Sequence, residues 1–189
     1  EEHYNQNVIA NPMNVVLPEV FLLGSTGNSA MEAGKMGLSY SYVQFFTGTI
    51  DRSIFEIYRE NFKPSEFQKE PNVLACYMVT VAETKEEADF QARVSDITRM
   101  QLHTGQRIRR ISPEEAQTYP LTDAERLFIE QGKNWHIRGE INDVVEKLKH
   151  EKEIHGFDEL MICTTPFAQE FKLREYEMLS KGFEINDLS

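Results

Sequence analysis

A short turn of small and polar residues carries the residue types best suited to chemistry. It runs from Gly24 to Ser29 and holds two glycines, two serines, a threonine and an asparagine. The apolar run 20–23 before it predicts a strand buried on both faces, and the residues after it predict a helix. Backbone N–H groups and hydroxyls in such a unit converge on the positive end of a helix, which suits a phosphate. The same residue types also cap a helix without a ligand, through Asn28 or Ser29, so both interpretations stand at this point.

Two further groups of polar residues are weaker candidates. His136, beside Trp135, is a candidate ligand or base, but a histidine that packs in the fold is the more frequent case. Arg107, Arg109 and Arg110 are candidates for an anion-binding patch or a lid, whereas such basic runs are more often solvated surface. The chain has no Ser-His-Asp order, CxxC or HExxH pattern, so it predicts no metal site and no named catalytic residue.

Strand and helix patterns alternate along the chain. Strands are predicted at 20–24, 38–46, 73–82 and 157–165, and long helices at about 29–36, 51–62, 84–103, 140–153 and 168–182, with short helices starting at Ser112 and Thr122 and an extended piece around 135–137. This alternation predicts a parallel sheet with helices packed outside it. Four strands cannot close an eight-stranded barrel of at least ~200 residues. The chain is therefore either a compact open sheet or part of a barrel.

Composition narrows the class of protein. The formal net charge of −11 argues against nucleic acid and anionic membranes as partners. No apolar run approaches the ~20 residues of a membrane helix, and the start of the chain lacks the features of a signal peptide. Cys76 and Cys163 lie in apolar strand-like runs and are expected to be free and buried. These features predict a globular protein of the cytoplasm.

Several strings in series resemble one known family, the luciferase-like flavin-dependent monooxygenases. They are residues 18–30, 37–38, 62–65, 81–88 and 157–165. Their order and spacing are similar to those of the carboxyl-terminal half of that family. The resemblance implies an α/β fold in which the four predicted strands are strands five to eight of a (β/α)8 TIM barrel. Residues 1–18 would be the end of the excursion before the fifth strand, and 19–189 a half barrel with a helical insertion around 104–135.

The resemblance also implies a cofactor site. In the family, the turn after the fifth strand holds the flavin phosphate, which here comprises Ser25, Thr26, Gly27, Asn28 and Ser29, with Thr26 and Ser29 as the expected hydroxyl contacts. Gln44 would lie near the flavin ring, although a polar residue that closes a strand is an equal interpretation. Thr164 and Thr165 would lie at the catalytic face or cap the helix after Pro166. A family hydroxyl cap is missing at Gly139-Glu140-Ile141.

The activity that the resemblance implies is oxidation of an aldehyde, or another small organic substrate, with reduced FMN and dioxygen. This would make the whole protein an alkanal monooxygenase type of enzyme, with deazaflavin as the less favoured cofactor. The family's catalytic residues lie in the absent half, so we expect the isolated chain to be inactive. The alternative is a non-catalytic, flavin-binding or self-associating half-barrel module. Open sheet edges predict a homo-oligomer, or pairing with the missing amino-terminal half.

Overall fold

The computed structural model describes Val15 and residues 18–185. The predicted excursion, residues 1–18, therefore lies almost wholly outside the described residues. The strands are β1 Phe21–Gly24, β2 Ser39–Val43, β3 Val73–Ala82, β4 His136–Glu140 and β5 Glu159–Cys163. The helices are α1 Gly27–Met36, α2 Gln44–Thr47, α3 Arg52–Asn61, α4 Lys85–His103, α5 Pro113–Gln117, α6 Asp123–Gln131, α7 Ile141–His155 and α8 Gln169–Gly182, with a 3-10 turn at Gly132–Trp135.

All the strand pairs of the sheet are parallel, and β3 is its centre. Along its first half, β3 pairs with β2 on one side and β5 on the other. Along its second half it pairs with β4. Met78 pairs with both His136 of β4 and Cys163 of β5, so β4 lies on the side where β2 has already ended. The α/β class with parallel strands is confirmed.

Two strand predictions are wrong in detail. The strand predicted at 38–46 ends at Val43, and the chain turns at once into α2. Gly48 closes α2 with a φ of 81°, in the left-handed region, and a Cβ there would collide with the ring of Trp135. The extended piece around 135–137 is a full strand, β4, so the sheet has five strands rather than four among the described residues.

The first strand is not buried on both faces, contrary to the prediction. Leu22 packs against the core, but Leu23 is 59% exposed. The reason is position: β1 is an edge strand that pairs only with β2 within the described part of the chain. At the other edge, Met161 of β5 is 49% exposed. Apolar side chains on both edge strands thus remain in contact with solvent.

The main core lies between the sheet and the helices on one of its faces. Alternate residues of β2 and β3 point into it, and they meet side chains from α1, α3, α7 and α8: Tyr40, Tyr42, Val73, Ala75, Tyr77, Val79, Val81, Ala30, Ala33, Ile54, Phe55, Tyr58, Val144, Leu148 and Leu179. A second core joins α4 to α5 and α6: Val94, Ile97, Met100, Ile111, Ala116, Leu121 and Ile129. The helical segment after β3 therefore has apolar packing of its own.

Side-chain caps fix the starts of most helices. Ser112 and Thr122 form reciprocal capping boxes with Glu115 and Glu125. Thr84 caps α4 by accepting from the N–H of Glu87 at 3.2 Å. The glutamate does not return the bond, because its two carboxylate oxygens each accept from Arg174 at 2.8 Å. Glu140 precedes α7 without a side-chain cap, as its sequence predicts.

None of the helices in the described residues has both the length and the apolar character to cross a membrane.

Candidate functional site

The turn between β1 and α1 is a closed capping box. Thr26 is the N-cap, and its Oγ1 accepts from the N–H of Ser29 at 3.3 Å. In return, Ser29 Oγ accepts from the N–H of Thr26 at 3.3 Å and donates to the Thr26 carbonyl at 2.8 Å. The capping interpretation is therefore confirmed, with Thr26 as the cap rather than Asn28 or Ser29. The turn uses both hydroxyls that the sequence assigned to a phosphate.

Two contacts hold this turn against the sheet. Ser29 Oγ lies 3.1 Å from the phenol oxygen of Tyr40 on β2. On the other side, a Cβ on Gly24 would collide with the Ser29 side chain. Glycine at the end of β1 is thus required for the close approach of the turn to α1. The start of α1 is thus packed closely against the carboxyl end of the sheet.

The turn keeps hydrogen-bond donors for a ligand. The backbone N–H groups of Gly27 and Asn28 and the hydroxyl of Ser25 have no partner within residues 18–185. The side chain of Asn28 is exposed, and the first turn of α1 carries no acidic residue. These donors lie at the amino-terminal end of α1, which is the positive end of the helix dipole. Their chemistry fits a phosphate, even though the chain as a whole is acidic.

Gln44 starts α2 instead of ending a strand. Its side chain is buried, with 5% exposed, and its Nε2 donates to the carbonyl of Asn134 at 2.9 Å. This bond joins α2 to the 3-10 turn before β4. Gln44 Oε1 is buried and has no partner in the described part of the chain. Gln44 therefore joins α2 to the 3-10 turn, and one of its acceptor atoms has no partner among the described residues.

Thr164 and Thr165 follow β5, but neither caps the next helix. The N-cap of α8 is Ala168, without a side-chain bond, so the capping interpretation is wrong for both threonines. Thr165 Oγ1 lies 3.0 Å from Ser95 Oγ and joins the end of β5 to α4. Thr164 is buried. Thr165 therefore joins the end of the sheet to a surrounding helix, and Thr164 Oγ1 has no hydrogen-bond partner in the described chain.

A buried carboxyl, Glu175 of α8, was missed by sequence reasoning. It is fully buried, and its Oε1 accepts from the N–H of Val81 at 3.1 Å. Because β5 pairs with β3 only as far as Met78, no strand of the described chain reaches Val81 on this side. Burial raises the pKa of Glu175 to about 7, against the hydrogen bond from the N–H of Val81 and the nearby hydroxyl of Thr164, which lower it. Nothing in a charged helix sequence marks this glutamate as buried.

His136 is a packing histidine, as the sequence favours. It is 5% exposed, and its Nε2 lies 2.9 Å from Thr80 Oγ1. Burial lowers its pKa to about 3, with smaller contributions from Arg138 and Arg99. Arg138 in turn donates two hydrogen bonds to Asp96, at 2.8 and 2.6 Å. The imidazole is therefore neutral beside a buried ion pair.

An apolar cavity of about 620 Å³ lies where the carboxyl ends of β2 and β5 meet α4. Its wall is mostly apolar and includes Arg99 and two of the three arginines of the basic run: Phe45, Phe46, Met78, Val94, Ser95, Thr98, Arg99, Leu102, Ile108, Arg109, Arg110, Thr165, Pro166 and Phe167. Ligands of parallel α/β sheets bind at this end of the strands. The cavity and the phosphate-fitting turn thus occupy the same end of one sheet.

The sequence of the chain is similar to those of several known proteins. No protein-family model matches the chain. It is 30% identical over 182 residues to the uncharacterised protein YceB of Bacillus subtilis, covering 96% of the chain and 55% of that protein. It is 23% identical over 159 residues to a luciferase-like monooxygenase of Escherichia coli, covering 84% of the chain and 48% of the relative. By these comparisons the chain is similar to the luciferase-like monooxygenases.

Solved structures agree on the fold of this luciferase-like chain. The crystal structure of apo-MsnO8 superposes with a TM-score of 0.81 at 24% identity, over 95% of the chain and 55% of MsnO8. Two more distant structures are described together with a cofactor. One is a type II Baeyer-Villiger monooxygenase in complex with FMN, at a TM-score of 0.53 and 17% identity over 87% of the chain and 48% of that protein. The other is an F420-dependent secondary alcohol dehydrogenase, at 0.54 and 15% over 89% of the chain and 49% of that protein.

The chain spans about half the length of the curated relatives that it matches. The resemblance seen in the sequence is confirmed at the level of the family. The assignment of this luciferase-like chain to strands five to eight, and its description as a half barrel, stay predictions.

Proposed function

We propose that this chain is part of a luciferase-like monooxygenase that uses a reduced flavin and dioxygen to oxidise a small organic substrate. The family supports oxidoreductase chemistry of this general kind through a relative that is named as a monooxygenase. One observation in this chain supports the proposal. The N–H groups of Gly27 and Asn28, which have no partner among the described residues, lie at the carboxyl end of the sheet that also bears the apolar cavity. A phosphate anchor and a ring-sized apolar space are what a flavin needs.

In this proposal the flavin phosphate binds the turn 25–29. The backbone N–H groups of Gly27 and Asn28 and the hydroxyl of Ser25 donate to it, while Thr26 and Ser29 hold the turn in shape. A place for Gln44 near the ring is proposed from the family resemblance alone, since Gln44 lines a different pocket from the apolar cavity. Bound reduced flavin supplies the electrons for oxygen chemistry. The apolar cavity excludes water and orients the substrate.

The finer assignments extend the same proposal. FMN is the proposed cofactor, because a structural neighbour is described in complex with FMN, and F420 is the alternative that another neighbour suggests. An aldehyde is the proposed substrate, as the family resemblance implies. Since no catalytic residue is assigned within 189 residues, we propose that the isolated chain has no turnover. The cytoplasm is the proposed location.

The test is a titration of the chain with FMN, riboflavin and F420, followed by their fluorescence. We expect FMN to bind about tenfold more tightly than riboflavin, because riboflavin lacks the phosphate that meets the helix N-terminus. Asn28→Asp should remove that preference through charge repulsion, while the acidic residue stabilises the start of α1. A melting temperature that stays level or rises in N28D shows that the turn is intact. Equal affinities for FMN and riboflavin in the wild type would contradict the phosphate site.

A second candidate function, a self-associating module, is favoured by the exposed edge strands. Leu23 of β1 and Met161 of β5 expose apolar side chains beside unpaired strand edges in the described chain. Such edges recruit another strand. We propose that a second copy, or the other half of the family's length, covers them.

Light scattering coupled to gel filtration tests this proposal. We expect a dimer or a larger oligomer, and expect Leu23→Lys to shift it towards the monomer, since a charged edge blocks strand pairing. Leu173→Lys, at an equally exposed leucine of α8, is the matched control and should change nothing. A wild-type chain that elutes as a uniform monomer would argue against self-association.

A further inference from the structure

The apolar cavity beside α4 combines exposed apolar groups with unpaired cations. Phe46, Leu102 and Ile108, which line it, are 60%, 63% and 50% exposed. Large exposed apolar side chains that are grouped in a concavity mark a binding site more often than scattered ones do. The ligand must therefore present an apolar body of a size that a cavity of about 620 Å³ accepts.

Arg99 is a half-buried cation without a counterion. Its Nη2 donates to the carbonyl of Phe45 at 2.7 Å, and its guanidinium lies 4.5 Å above the ring of Trp135. The carboxylate of the same helix that lies nearest in sequence, Asp96, is committed to Arg138 by two hydrogen bonds. Arg99 forms no ion pair with any described residue. A guanidinium has five N–H donors, so several stay available.

Arg99 differs from most of the other lysines and arginines without an ion pair because its side chain is half buried, whereas most of theirs are exposed. Burial lowers the pKa of Arg99, and Asp96 opposes that shift. A desolvated cation of this kind favours an anion that enters from outside the protein.

Arg110, at the rim of the apolar cavity, makes the same two kinds of contact as Arg99. Its guanidinium lies 4.8 Å above the ring of Phe167, and its Nη2 donates to the carbonyl of Phe167 at 2.6 Å. Like Arg99, it has no carboxylate partner in the described chain. Arg109, by contrast, lies 3.6 Å from a carboxylate oxygen of Glu115. The cavity thus has two arginines, each held by an aromatic ring and a carbonyl, with donors to spare.

We propose that this cavity binds an apolar organic carboxylate, with its carboxylate group on Arg99 and its hydrocarbon body against Phe45, Met78 and Phe167. The planar fork of a guanidinium matches a carboxylate in two parallel hydrogen bonds. Arg110 adds a second positive charge at the entrance. The inference rests on the proposed function in one respect, since it narrows the small organic substrate of that function to one that carries a carboxylate besides the group that is oxidised.

The test uses the 189-residue chain without cofactor and three ligands of one length: octanoate, octan-1-ol and octylammonium. Trp135 is the single tryptophan and stacks on Arg99, so its emission reports directly on this site. We expect octanoate to change that emission saturably and to bind about tenfold more tightly than octan-1-ol. Octylammonium should bind more weakly than either. Equal binding of octanoate and octan-1-ol, or tighter binding of octylammonium, would overturn the proposal.

Variants locate the carboxylate, with calorimetry as a readout that does not depend on Trp135. Arg99→Gln should weaken octanoate binding about tenfold and leave octan-1-ol binding unchanged. Arg99→Lys keeps the charge and should recover part of the loss. Arg110→Gln should have a smaller effect, and Arg52→Gln, at an exposed arginine paired with Glu56 on α3, none. Wild-type affinity for octanoate in R99Q, or an equal loss in R52Q, would refute the assignment.

The carboxylate site and the proposed flavin site can fail independently in these experiments. The preference for FMN over riboflavin depends on the turn 25–29 and should be the same in R99Q as in the wild type. A chain that shows this preference but does not bind octanoate keeps the flavin proposal and loses the carboxylate. A chain that binds octanoate through Arg99 but does not distinguish FMN from riboflavin keeps the carboxylate site and loses the phosphate site.

Discussion

Replacing Glu175 with glutamine is expected to stabilise the protein at about pH 8 and to leave its stability almost unchanged near pH 4.5. The carboxyl is fully buried, and one oxygen accepts from the N–H of Val81. Its other oxygen has no partner in the described chain by hydrogen-bond geometry. Glutamine is the shape of the neutral acid. It keeps an acceptor for Val81 and offers an N–H to the hydroxyl of Thr164, whose Oγ1 is also without a partner.

The sign of this pH dependence follows from the number of protons that the folded and unfolded states bind. The pKa of Glu175 is about 7 in the folded protein and 4.5 for an unperturbed glutamate, so the unfolded chain loses this proton first as the pH rises. Wild-type stability therefore falls between about pH 4.5 and 7, and levels off above the folded pKa. The carboxyl accounts for a loss of about 3 kcal/mol across that window. Glutamine at this position does not titrate, so the stability of E175Q should not fall in this way as the pH rises.

Urea unfolding from about pH 4.5 to 8 measures this difference. Glu175→Ala should be less stable than E175Q at every pH by about 1–3 kcal/mol, because it leaves the buried N–H of Val81 without an acceptor. Glu177→Gln is the matched control on the same helix. Its carboxylate is exposed and paired with Lys181 at 2.7 Å, so its removal should give no gain at high pH. Wild-type and E175Q curves that stay parallel over the whole range would contradict the assignment of the titration to Glu175.

The elements that the sequence predicts well are those with strong local patterns. β3 is a ten-residue apolar run, and α4 has both helical spacing and a threonine cap, so both were located to within about a residue. β4 was recognised only as an extended piece, because its residues 138–140 are Arg, Gly and Glu, which carry no strand pattern. It is a strand because the second half of β3 offers it an edge that β2 leaves free. That is a property of the sheet rather than of the segment.

Burial at the sheet edges could not be inferred for the same reason. The run 20–23 is apolar like a central strand, yet Leu23 is exposed, since the number of neighbours of β1 is decided elsewhere in the chain. Glu175 shows the reverse case, in which a charged residue on a helix takes the place that a longer β5 would fill. Local composition predicts neither outcome. Both depend on where a neighbouring strand stops.

At the candidate site, the sequence located the turn but not the roles within it. Asn, Ser and Thr all cap helices, so the choice of Thr26 depended on where β1 ends and on the contact between Ser29 and Tyr40. The arginines of the basic run were open to two interpretations. Arg99, which no local pattern singles out, is placed with them by the packing of α4 against β4 and by its hydrogen bond to Phe45 of α2.

Removing the carboxylate of Asp96 is expected to have the largest effect on stability. Asp96 on α4 and Arg138 on β4 form a two-bond ion pair in which each side chain is only 14% exposed. Asp96→Asn leaves the guanidinium of Arg138 buried without its charge partner, beside the unpaired Arg99. The free energy of unfolding should fall by about 3–5 kcal/mol. Glu56→Gln, in an exposed pair with Arg52 at 3.6 Å, is the control and should lose less than about 1 kcal/mol.

A double variant distinguishes the net contribution of the ion pair to stability from the cost of burying one charge without its partner. In Asp96→Leu with Arg138→Met, both charges leave together and apolar side chains fill the space, so the protein should recover most of the stability that D96N loses. Chemical unfolding of the wild type, D96L, R138M and the double variant gives the coupling energy directly. If the double variant is as unstable as D96N, the loss comes from packing and not from the charge.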